Sequence, residues 1–269
     1  MDAFFTYGFL QRALLAGIFI AVACALLGVF LILRRDSMIG HGLAHIAFAG
    51  VALGLFLKII PLGVALVVAV VTALGIMKLK QKAGLYGDTA IAIFSSMGLA
   101  VGIVLATLAQ SFNVDLFGYL FGDILAIETS EVWLSVALAA VVVFVVILHY
   151  PKFMYMTFDH EAAKASGIKV GRLDILLTVL TAVTVVLGMK VVGILLVSAL
   201  VVIPAAAGLQ LASNFKQAIL LSPLIAVVSV LLGLVLAYFL DLPASGAIVI
   251  LSFLFFSLSF LLKVVRRGR

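Results

Sequence analysis

The residues in this sequence best suited to chemistry are two histidines in the stretch GHGLAHIAFAG, residues 40–50. His41 and His45 stand four apart, so on a helix they share a face and their imidazoles can converge. Neutral imidazole is a good ligand for zinc, copper, iron or nickel, whereas carboxylate oxygen better suits manganese. His41-Gly42-Leu43-Ala44-His45 also approximates the HExxH signature of zinc proteases, in which the glutamate is the general base. Gly42 holds that place here, and no acid stands near enough in sequence to replace it, so hydrolysis is not expected. Two imidazoles do not complete a zinc site, which normally has four donors. The missing donors are expected from Asp123 first and Asp115 second, with Glu128 or water as further sources.

The element that must position this pair is a membrane helix. The chain has 269 residues, of which 66% are hydrophobic and 10% charged, with a mean hydropathy of +1.41. A soluble domain is about 25% charged, so there is too little polar surface here to coat a globule. Apolar runs at 13–33, 40–57, 61–77, 88–108, 131–149, 173–189, 191–209 and 218–237, with a possible ninth at 246–262, are near the roughly 20 residues a spanning helix needs. Lys190 divides the two runs on either side of it. These runs predict an all-α, polytopic bundle of eight or nine transmembrane helices forming one domain over 1–269. His45 lies ten residues past Arg35, about 15 Å at helical rise, near the middle of a hydrocarbon core of roughly 30 Å. Ionisable side chains at that depth are costly and mark functional paths. The plain alternative is that both histidines hydrogen-bond across helices. Gly40, Gly42, Ala44, Ala47, Ala49 and Gly50 are small, which lets neighbouring helices approach and leaves room for an ion.

Nine spans place all of the 17 Lys and Arg on one side except Arg12, Lys58 and Lys190. Basic residues favour the cytoplasmic side, so the N-terminus is expected outside and the C-terminus inside. The net charge of +6 then reflects topology, and no nucleic-acid partner is implied. The single cysteine, Cys24, allows no internal disulfide, and the first residues, MDAFFTYGFLQR, lack the basic start and cleavage site of a signal peptide. The outer connection 109–131 mixes acids with aromatics and is expected to form a short re-entrant or interfacial helix. The inner connection 149–174 is the most polar stretch. Within it Asp159 suits the N-cap and Gly167 the stop of a short helix. Asp241, in the outer turn LDLPASG, is exposed and suits contact with a binding protein. Asp88 reads as a helix-start acid, and His149 and His160 as ordinary surface residues.

Glu161-Ala162-Ala163 with Gly167 four places on resembles the coupling segment of ABC importer permeases, about 150–172 here. That segment docks into a groove on the ATPase subunit. The resemblance extends along the chain. RRDSMIGHGLAHIAFAGVALG (34–54), GDTAIAIFSSMGLAVGI (87–103), VDLFGYLFGDILAI (114–127), VGILLVSALVVIPAAAG (192–208) and YFLDLPASGAIVIL (238–251) are similar, in order, to the zinc/manganese/iron permeases of ABC transporters. One departure is that the family usually carries an acid where His41 stands. The resemblance therefore implies a metal contact at His45 directly, and at His41 only with a changed ligand.

No GxxxxGK[ST] phosphate loop occurs in the sequence, so ATP hydrolysis is expected from a separate cytoplasmic subunit docking at Asp159, Glu161, Ala162, Ala163 and Gly167. The resemblance implies a homodimeric permease in the cell (plasma or inner) membrane, served by an extracytoplasmic metal-binding protein. The expected activity is inward transport of a divalent metal, zinc first and manganese or iron as alternatives, with no permanently bound cofactor. A stand-alone metal channel or ion-coupled carrier is the rival class. It would need a buried proton or sodium relay, and the spans hold almost no further acids to build one.

Overall fold

A chain surrounded by hydrocarbon must satisfy its backbone hydrogen bonds within itself, which leaves the α-helix as the element open to long apolar runs. The computed structural model describes residues 7–83, 87–108, 122 and 127–267. The elements in them are all helical: α1 Gly8–Leu33, α2 Ile39–Phe56, α3 Pro61–Ala83, α4 Gly87–Leu108, α5 Thr129–Phe158, α6 His160–Ala165, α7 Val170–Val192, α8 Ile194–Leu211, α9 Phe215–Leu240 and α10 Ala244–Arg267. Among the described residues nine of these are long and apolar enough to cross a membrane, resolving the expected eight or nine spans to nine. The chain is a multi-pass membrane protein.

Two boundaries differ from the sequence expectation. The α5 helix runs through Pro151 to Phe158, so the first part of the polar inner stretch continues a span. At 30 residues it is about 45 Å long, longer than a hydrocarbon core of roughly 30 Å. The division near Lys190 falls instead at Gly193. Lys190 is still inside α7, and Gly193, at φ +86°, forms the whole connection between α7 and α8. Charge suggested the break, but backbone conformation makes it: glycine reaches positive φ without the steric cost of a Cβ.

Helices α1 and α2 are the most enclosed. Helix α1 packs against α5, α8 and α9, while α2 lies between α3 and α4 with α7 behind it, and α10 covers α8 and α9. Small residues permit the tight approach to α2. A Cβ on Gly50 would lie 2.5 Å from Cα of Ala65 on α3, so only glycine fits there. Outward-facing side chains such as Val67, Ile103, Phe144 and Phe253 are exposed and suit lipid contact.

Candidate functional site

The histidine pair sits on the first half of α2. The α1–α2 turn sets where that helix begins: the Ile39 N–H donates to the Asp36 carbonyl at 3.0 Å and the Gly42 N–H to the Met38 carbonyl at 2.9 Å. Helix α4 then holds the segment from the side. A Cβ on Gly42, the position that denies the protease reading, would come 2.6 Å from Ile91 Cγ2. Glycine between the two histidines is therefore where α4 seats. Most of α2 is buried, but His41 and His45 are each half-buried and look out on one open face.

Their Nε2 atoms are 3.2 Å apart, and the rings meet edge to face, with centroids 4.7 Å apart and planes at 89°. Two nitrogens bound to one tetrahedral zinc at about 2.0–2.1 Å would be roughly 3.3–3.4 Å apart. The separation is that of an N–H···N hydrogen bond between the two rings, and it also approximates one edge of a zinc polyhedron, so an ion could take the place of the shared proton with little movement. His45 Nδ1 is buried and makes no hydrogen bond among the described residues, so the cross-helix hydrogen bonding of the plain reading is not seen at that nitrogen. The eighteen-residue helix is about 27 Å long, and His45 lies within about 4 Å of its midpoint.

Among the described residues no group of three or more His, Cys, Asp or Glu gathers at any point. Asp115 and Asp123 lie outside the described residues, as does most of the outer connection in which a short helix is expected. Glu128 stands at the start of α5, where its N–H donates to Glu131 Oε2 at 3.2 Å and its own Oε2 accepts from Ser130 Oγ at 3.1 Å. Glu131 in turn pairs with Lys190 of α7 at 2.8 Å. Glu128 therefore serves the start of α5, beside the Glu131–Lys190 pair, and does not join the two histidines.

On the opposite end, α6 is capped as its sequence suggests. Asp159 Oδ1 accepts from the Ala162 N–H at 2.9 Å. Gly167, at φ +81°, closes the helix, with the Ile168 N–H reaching back to the Ala163 carbonyl at 3.1 Å. One expected docking residue is corrected. Ala163 is fully buried, because it occupies the side of this six-residue helix that packs on the protein. Ala162 is half-buried, and the exposed face is made by His160, Glu161, Lys164 and Ala165. Asp241 is exposed and ends α9 in the left-handed conformation at φ +52°.

Sequence reasoning misses an ion network at the same end. Arg34 registers in the sequence only as a topology signal, yet its Nη2 is 2.6 Å from Asp174 Oδ1, outside hydrogen-bonding alignment, and its Nε is 4.0 Å from Asp36 Oδ2. Asp36 also pairs with Lys80. The available signal is Asp174 itself, an acid at the start of an apolar run. His160, an ordinary surface residue by its sequence position, lines the cavity beside this network.

The ABC 3 transport family matches residues 6–263. The chain is 32% identical to a protein named manganese transport system membrane protein MntC from Listeria innocua, over 97% of this chain and 93% of that one. It is also 32% identical to one named high-affinity zinc uptake system membrane protein ZnuB from Haemophilus influenzae, over 92% and 95%. Among solved structures it superposes on a chain of PsaBC from Streptococcus pneumoniae, in complex with Fab, with a TM-score of 0.86 and 33% identity, over 96% and 93% of the two chains.

Proposed function

The chain belongs to the ABC 3 transport family, and from that premise we propose that it is the membrane subunit of an importer that carries a divalent transition metal past His41 and His45. The observation that carries this reading is the 3.2 Å approach of the two Nε2 atoms on the open face of α2. Neutral imidazoles offer the ion two donors as it sheds part of its water. A path must also release its cargo, and two donors without a closed protein cage bind an ion without trapping it.

Zinc is the cargo we favour, because two nitrogens are a better match for zinc than for the harder manganese ion. Manganese is the second reading, supported by relatives named for manganese transport. The sequence holds no phosphate loop, so a cytoplasmic ATPase supplies the energy, docking on the exposed face of α6 around Glu161. A second copy of the chain completes the pore, and a metal-binding protein docks at the outer end near Asp241. Asp123 and Asp115 are the further donors we assign to the path.

The test is uptake of radioactive zinc and manganese by cells lacking their own importers, supplied with this chain and with an ATPase and a metal-binding protein of the same transporter family. Uptake should depend on His45, and His45→Ala should abolish it with the protein still inserted. Normal transport by His45→Ala would reduce the histidines to packed helix residues.

A further inference from the structure

The ion network around Arg34 joins parts of the chain that the proposed function keeps separate. Arg34 follows the last residue of α1, Asp36 lies in the α1–α2 turn, Lys80 is on α3 and Asp174 is in the second turn of α7. The four charges cancel, two of each sign, so the cluster offers no net attraction to a metal ion. Asp174 is 4% exposed, and the Arg34 and Asp36 side chains are 18% and 14% exposed. Enclosed ion pairs are a weak source of stability, since apolar side chains of similar volume often serve as well. Their presence calls for a role other than holding the bundle together.

The surroundings indicate that role. A cavity of about 170 Å³ is lined by Arg34, Asp36, Lys80 and Asp174 together with Ile39 and His160. Ile39 is the first residue of α2, two before His41, and His160 is the first residue of α6. The beginnings of the ATPase-facing helix and of the metal helix thus face one small space, with the charges between them. Helix α6 is tied to α7 by the short 166–169 turn, so displacement of α6 bears on the first turns of α7 and on Asp174. On the other side, the Asp36 carbonyl accepts the Ile39 N–H and so sets where α2 starts. The cavity gives the side chains room for a second arrangement, which a fully packed contact would not.

We propose that the Arg34–Asp174 pair, with Asp36 and Lys80, is the positioning element that conveys movement of the docked ATPase from α6 to the start of α2, and so to His41 and His45. This rests on the reading that α6 is the ATPase-docking helix. Arg34 and Asp174 touch neither the metal nor the ATPase in this scheme; they act through α2 and α7.

The experiment uses the permease purified with its ATPase in lipid vesicles, and reads three quantities: ATPase co-purified, ATP hydrolysed, and zinc or manganese moved per ATP. Arg34→Asp and Asp174→Arg should each retain the ATPase and continue to hydrolyse ATP, with a clear loss of ions moved per ATP. The double swap, R34D with D174R, restores an opposite-charge pair and should recover most of the loss. An unchanged ratio of ions to ATP in the single variants, with both rates falling together, would make the pair a static clamp and overturn the proposal. Should the swaps fail to assemble, Asp36→Asn removes one charge without changing shape, and the same ratio decides. The docking reading is checked apart from this: Glu161→Lys should cut ATPase co-purification. Undiminished co-purification there would sink the docking reading and the relay with it, whereas an unchanged ratio with docking intact sinks the relay alone.

Discussion

A Cβ placed on Gly98 of α4 would lie 3.2 Å from the carbonyl oxygen of His45 and 3.0 Å from Cα of Ile46. Helix α4 therefore rests almost backbone to backbone on the turn of α2 that carries the second histidine. Gly98→Leu should force the helices apart, at about 1–3 kcal/mol for overpacking, and lower both the thermal unfolding midpoint and metal uptake. Gly75→Leu on α3 is the control, since a Cβ there would meet nothing within 4 Å. Equal behaviour of the two variants would show that this contact does not hold the histidine pair in place.

The long helices among the described residues, to within one, and the histidine pair are legible because each rests on a local property: run length for the spans, four-residue spacing for the pair. The end of α5 is not, because polarity from His149 onward suggests a loop, while the helix continues to Phe158 although Pro151 forfeits one backbone hydrogen bond. The inward face of Ala163 is equally hidden. In a six-residue helix the cap at Asp159 and the stop at Gly167 follow from residue type, but only packing decides which alanine points in. The Arg34–Asp174 pair spans 140 positions, and no local pattern announces a contact at that separation.

At the start of α5, Glu131 and Lys190 join its first turn to the last turn of α7 at 2.8 Å, with side-chain exposures of 11% and 36%. Lys190→Met should destabilise the protein by about 1–3 kcal/mol, less than for a fully buried pair because Lys190 keeps much of its hydration. Adding Glu131→Met removes the stranded carboxylate and should return most of that loss. Thermal unfolding of the two single variants and the double variant gives the coupling, and additive losses would show that the pair contributes nothing.

Orientation can be read with single cysteines in a Cys24→Ala background, since Cys24 is fully buried. Lys58, in the turn between α2 and α3, and Lys169, before α7, are both exposed and an odd number of spans apart. An impermeant thiol reagent added outside intact cells should label Lys58→Cys and leave Lys169→Cys unmodified until the membrane is opened. The reverse pattern would invert the topology and place α6 where no cytoplasmic ATPase could reach it.

Gly167 closes α6 at φ +81°, with open space where a side chain would go. Gly167→Ala should therefore cost only the strain of the left-handed conformation, about 1–2 kcal/mol, and keep uptake. Gly167→Arg bears the same strain and adds bulk and charge beside the exposed face of α6. It should remain inserted but lose metal uptake relative to ATP hydrolysis, as measured in reconstituted vesicles. Uptake at the normal rate by the arginine variant would remove this end of α6 from the docking surface.

The metal preference turns on His41. Its Nε2 forms one end of the 3.2 Å edge shared with His45, and the shorter carboxylate side chain of a His41→Asp variant would replace that nitrogen with oxygen. Oxygen suits manganese and nitrogen suits zinc, so the ratio of zinc to manganese uptake should fall while transport itself survives. His41→Ala is the necessary companion, for it removes the donor without supplying another and should slow both ions together. Radioactive uptake of the two metals in competition, at matched expression, separates these cases. Transport by His41→Asp with an unaltered ratio would leave the pair on the path but assign its selectivity to donors elsewhere, with Asp123 the next residue to replace.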